Sequence, residues 1–239
     1  MKLVRTMMGA GAALLLAGCG GADKPAPKVA RVQDETPAPE HVDRGPASYE
    51  AEIGGLSHDD VKKKFDRLRP ELLRCVEEAS TRLSVVGGSV SLRMRVARDG
   101  SLRWAYLSDS TLGDRDAERC VLDTVKSKTW PKPLSGDGLA EVGFEVEPAD
   151  SPMALPSTAR TLLEKRAESL TKQCREGIRG EFRATVYVGR SGKLLSVGVT
   201  PPDQQGESAS DCIADALRGL RLGRVAVNTA PSKASFEIR

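Results

Sequence analysis

Aromatic side chains are scarce, 4% of 239 residues, and histidine occurs only twice. So few rings cannot fill a large core, which points to small domains with some second source of stability. Two histidines also leave little material for general acid–base chemistry. His41 falls in a proline-rich stretch and His58 at the start of a helical pattern, both away from the cysteines, and no C-x-x-C spacing occurs. No catalytic set, no metal and no cofactor is therefore expected. Long hydrophobic runs are missing as well: Met7 to Ala17 is the main one, short of the roughly 20 residues that span a bilayer. A net charge of +3 excludes a dedicated polyanion binder, so no nucleic-acid partner is expected.

What the chain does have is five cysteines, an odd number. The first sits in LLLAGCGG, residues 14–21, behind a short positive segment (Lys2, Arg5) and the apolar run. That arrangement reads as a signal peptide over 1–18. Its end, Leu16-Ala17-Gly18-Cys19, resembles the lipobox of bacterial lipoproteins, in which the chain is cut before the cysteine and the thiol is lipidated. The resemblance implies a membrane partner held through acyl chains on Cys19, each buried methylene adding about 0.8 kcal/mol. Gly20 follows where an aspartate would retain the protein in the inner membrane, so the expected address is the cell envelope, at the outer membrane. Residues 19–55 read as a tether, since five prolines interrupt a stretch with almost no large apolar residues.

The remainder repeats itself. GSVSLRMRVARDGSLRWAYL (88–107) lies over GEFRATVYVGRSGKLLSVGV (180–199) at an offset of 92. The same offset carries Cys120 onto Cys212 and Phe144 onto Phe236 without a gap, so two domains are expected, over 56–148 and 149–239. Each reads helix, strand, strand, helix, strand. In the first, Ser57 with Asp60 forms a capping box before a stripe from Val61 to Leu83, which Pro70 should kink or divide. Val90, Leu92, Met94 and Val96 alternate with polar residues, Asp99-Gly100 turns, and a second helix and a final strand around Phe144 follow. In the second, Ser157 should cap a helix with the stripe Leu163, Ala167, Leu170 and Cys174, and Phe182 to Val188 reads as a half-buried strand. In both copies one cysteine falls on the inner stripe of each helix. If the helices cover one face of the sheet, Cys75 can meet Cys120 and Cys174 can meet Cys212, each bridge worth up to about 4 kcal/mol; four separate buried thiols are the other reading.

Several residues now carry a resemblance: Cys75, Gly88, Asp99-Gly100, SDSTLGD at 108–114, RCV at 119–121 and WPKP at 130–133. Residues 57–148 resemble the AgmX/PglI C-terminal domain, a relative of the TonB C-terminal domain found mainly in myxobacterial envelope proteins. Trp130 departs from the family's phenylalanine, and the second copy keeps cysteines and glycines but reads TPPDQQG and LGRV. The resemblance implies an α+β fold of two tandem two-layer domains, each with both helices on one face of a small antiparallel sheet. It implies roles in envelope machines such as gliding motility, and no catalysis.

Two partner classes are expected: envelope proteins, bound by strand addition, or peptidoglycan or another wall polymer, bound as a structural anchor. The last strand of each copy follows a long connection and should be the open edge, with Glu141, Val142, Gly143, Phe144 and Glu145 the favoured binding strand. Lys62–Lys64, Arg67 and Arg69 read as a solvated helix face, Arg93 and Arg95 as the helix-free side of the sheet, and Asp109 and Asp114 as lacking any catalytic base.

Overall fold

The computed structural model describes residues 50–52, 55–223 and 231–239. Cys19, the signal peptide and the tether up to residue 49 lie outside them. No helix among the described residues is long and apolar enough to cross a membrane.

Helix α1 (His58–Arg82) begins where Ser57 accepts a hydrogen bond from the Asp60 N–H at 3.3 Å, and it buries Val61, Phe65, Leu68, Leu72, Cys75, Val76 and Ala79. It is not divided at Pro70. The ring and the Asp66 carbonyl that it leaves unpaired both lie on the exposed side, where water can satisfy the carbonyl. Strands β2 (Gly88–Val96) and β3 (Leu102–Ser110) form an antiparallel hairpin, turned by Gly100 at φ +89°. Helix α2 (Arg115–Lys126) is capped by Asp114, which accepts from the Ala117 N–H at 2.9 Å, and β4 (Gly138–Val146) returns beside β2. Val90, Leu92, Met94 and Val96 meet both helices in one core, which also holds Trp130; its indole donates to the Val125 carbonyl at 3.2 Å.

The second half repeats the order. Helix α3 (Ser157–Leu170) is followed by strands β6 (Phe182–Val188) and β7 (Leu194–Thr200), helix α4 (Ser210–Arg218) and strand β8 (Ser232–Ile238). The fold is α+β, with four helices among the described residues and two sheets.

Five expectations need correction. Among the described residues each sheet has four strands, because short segments join the edges: β1 (Glu50–Glu52) lies antiparallel to β4, and β5 (Met153–Ala154) lies parallel to β8, making the second sheet mixed. The expected tether thus ends in a strand. Ser157 is the first helical residue after Pro156 and makes no capping bond, while Leu170 is 47% exposed and Cys174 lies in a separate 3-10 turn. Finally, of the four paired cysteines only Cys75 is fully buried; Cys212 is exposed.

Candidate functional site

The largest difference from an alternating sheet lies in β6 and β7. Arg183, Thr185 and Tyr187 face away from α3 and α4, opposite Thr200, Gly198 and Ser196 of β7. Thr185, Tyr187, Ser196 and Thr200 are nonetheless buried, because this helix-free face packs on the first half. Tyr187 enters the first half's core; its hydroxyl donates to the Gly87 carbonyl and accepts from the Gly87 N–H, each at 3.3 Å. Burial pushes its hydroxyl up to about 12. Lys233 donates to the same carbonyl at 2.7 Å, with its ammonium 5.4 Å from the Tyr187 ring centre, and burial lowers its pKa.

The surface that receives this face includes residues 109–114 of the first half. Asp109 pairs with Arg183. The Ser110 N–H donates to Thr200 Oγ1 at 3.0 Å, and that hydroxyl donates back to the Ser110 carbonyl at 3.2 Å. Gly113 holds φ +72°, and a Cβ there would lie 2.8 Å from the Tyr187 ring. Asp114 caps α2, takes Arg82 at 3.1 Å, and accepts from Ser196 Oγ at 2.8 Å.

One helical turn on, the contact becomes ionic. The Arg115 guanidinium, 3% exposed, lies 2.6 Å from Glu207 and 2.8 Å from Asp211, both in the second half. Burial alone would lower its pKa; the attraction of Glu207, with Asp211 and Glu118, holds it above the usual arginine value. Arg119 shares Asp211 at 2.9 Å, and Arg218 meets Asp116 at 3.0 Å. Burial would raise the Asp211 carboxyl, but Arg115 and Arg119 keep it below the ordinary range. The repeat offset makes this pattern informative. Arg115 and Arg119 are the counterparts of Glu207 and Asp211, so equivalent positions meet with opposite charge. Two identical halves would set like charges together; the reversal makes each half fit the other.

Among the sequence-predicted residues, Cys75 is bonded to Cys120 and Cys174 to Cys212, with Cα–Cα separations of 5.7 and 5.6 Å. The expected edge strand is only partly an edge: Glu141 pairs with Glu50, Ala140 with Ala51 and Leu139 with Glu52. From Val142 to Val146 no described strand lies on the outer side of β4. The corresponding edge of β8 is occupied differently. The Arg160 guanidinium donates to the Ser235 carbonyl, and the Arg239 N–H donates to the Glu168 carboxylate, both at 2.9 Å. Lys62 pairs with Asp66 on the exposed side of α1, beside Lys63, Arg67 and Arg69.

Arg93 and Arg95 do lie on the helix-free face of the first sheet, half-exposed, in ion pairs with Glu141 and Asp137 at 2.9 Å. Trp104 and Tyr106 sit beside them, ring centres 5.8 Å apart. Asp109 and Asp114 bind across the junction, to Arg183 and Ser196. Among the described residues, no group of three or more His, Cys, Asp or Glu is placed to hold a metal ion.

Glu118, Arg115 and Tyr187 were not singled out by pattern, although a signal existed. ATVYV and SVGV carry no charge, unlike LRMRV, which is how a strand covered on both faces reads. Comparison of the chain with family models, with curated proteins and with solved structures returned no match.

Proposed function

We propose that this protein is a non-enzymatic lipoprotein, anchored through Cys19 at the outer membrane, that presents two tandem TonB C-terminal-like modules to protein partners of the envelope. The reading that fits best is capture of an extended segment beside β4. The observation that carries it is the outer edge of β4 from Val142 to Val146, beside which no described strand lies and where an incoming strand would meet main-chain donors and acceptors. In β8 the Ser235 carbonyl, the counterpart of the Gly143 carbonyl, already accepts from Arg160, so the first half is the better receiver.

Crosslinking capture from intact cells tests this. Glu145→Pro removes one main-chain N–H from β4 while leaving both disulfides able to form, and should weaken capture; Gly143→Pro removes another, and also sets a Cβ 2.7 Å from the Val90 carbonyl oxygen, so its fold is checked alongside. Undiminished capture by both folded variants would refute strand addition here; binding to purified sacculi without protein partners would favour the wall-polymer anchor. Cys19→Ala should release the protein from membranes or leave it unprocessed, and unchanged membrane association would end the lipoprotein reading.

A further inference from the structure

Glu118 sits at the middle of the junction with no exposed surface. Its Oε1 accepts from Ser110 Oγ at 2.7 Å, on β3 of its own half, and its Oε2 accepts from the Val199 N–H at 2.9 Å, on β7 of the other half. On its own helix Arg115 Nη1 lies 3.9 Å from Oε2, too far for a hydrogen bond, and that nitrogen has no hydrogen-bond partner. Glu207 approaches Arg115 from the 3-10 turn before α4, and Asp211 approaches it from α4, shared with Arg119. Asp114, at the start of α2, is taken by Arg82 and Ser196.

One buried guanidinium therefore faces two nearly buried carboxylates, Glu118 and Glu207, and its better contacts go to the Glu207 side. A carboxylate enclosed without a matched cation is favoured in its protonated form. Gly198 completes the enclosure: any Cβ there would overlap Glu118 Oε1 and lie 2.8 Å from the Gly113 Cα, so the pocket closes only because β7 is bare at that point.

We propose that the junction is a proton-sensitive clasp, in which Glu118 takes up a proton as the halves close over it, so that mild acid holds them together and alkali loosens them. The proton belongs on Oε1: Ser110 Oγ, which donates to the ionised carboxylate, turns its hydroxyl to accept it, leaving Oε2 to the Val199 N–H. Loosening uncovers Asp109, Ser110, Gly113 and Asp114, which the second half contacts.

The direction is consistent with burial pushing the Glu118 carboxyl from 4.5 up to about 7. A group whose pKa is raised on closure stabilises the closed form fully below the open-state value, and that contribution is lost as pH rises through about 7. The inference does not depend on any partner at β4.

The test is amide exchange of the full-length protein at pH 5, 6, 7 and 8, each rate corrected for its intrinsic pH dependence. Protection of the Val199 N–H, which bonds Glu118 directly, should fall by more than about tenfold across this range, since one pKa unit corresponds to a factor of ten. In Glu118→Gln the fall should vanish. In Glu207→Gln, where the second carboxylate no longer competes for Arg115, it should move to lower pH; this variant replaces a less enclosed group and keeps the test usable if Glu118→Gln misfolds. A flat wild-type profile would overturn the proposal, as would an unmoved profile in Glu207→Gln. An equal loss of protection at Leu92, deep in the first sheet, would overturn it too, because opening would then be global.

Discussion

The two halves place the same elements in the same order and treat one surface oppositely. On the first sheet the helix-free face carries Arg93, Arg95, Trp104 and Tyr106, with the arginines half-exposed. At the equivalent positions the second sheet carries Thr185, Tyr187, Ser196 and Gly198, and packs them against the first half. A sheet face tolerates long charged side chains only while water reaches it. Covered by protein, it needs small groups that allow close approach, with every polar atom matched. The difference teaches that the second half has given up its free face to bind the first.

Exchanging residues between the two faces should break this comparison most sharply. Thr185→Arg would bury a charge with no partner and should cost more than about 4 kcal/mol or prevent folding. The reciprocal Arg93→Thr is the smallest effect of the set, below about 1 kcal/mol, because it removes a half-exposed ion pair with Glu141. Urea unfolding of both variants measures the contrast; equal costs would mean that the two faces are equivalent after all.

Next in size is the ionic contact. Arg115→Ala leaves Glu207 nearly buried without its cation and removes the bond to Asp211, and should cost about 3–5 kcal/mol. Reversing the four equivalent charges together (Arg115→Glu, Arg119→Asp, Glu207→Arg, Asp211→Arg) should recover part of the stability lost when only one side is reversed. Failure to recover any would show that shape alone pairs the halves.

The disulfides come third. Replacing both cysteines of a pair by alanine should cost about 2–4 kcal/mol in either half, given similar separations of 45 and 38 residues. The loss should be greater for Cys75–Cys120, because Cys75 is packed in the core while Cys212 is exposed. Thermal unfolding of the two double variants would rank them.

Local order was largely legible. Ser57 capping α1, the alternation from Val90 to Val96 and the turn at Gly100 all follow from near neighbours in the chain, and these elements form where their patterns lie. The cysteine pairs were legible one step further, since helical periodicity places each thiol on an inward side. That step had a limit: α3 buries only Leu163 and Ala167, so its stripe stops short of Cys174, and the bridge forms from a turn near the surface. Pro70 does not divide α1 for a similar reason. The penalty of a proline depends on whether water reaches the carbonyl it orphans, and this depends on what covers the helix.

What the chain determined by itself was therefore the kind, order and repetition of its elements, together with the side of each helix that seeks a core. Periodicity and turn chemistry act over a few residues and need no knowledge of the rest. Tertiary structure alone decided which edges and faces stay open. β1 beside β4, β5 beside β8, and Tyr187 in the other half's core are contacts between distant segments, and an edge or a bare face carries the same local pattern whether or not something lies on it. Glu118 shows this most plainly: by sequence it is one more acidic residue in the first turn of a helix, and only the approach of Val199 and the bare backbone of Gly198 make it a sealed carboxyl.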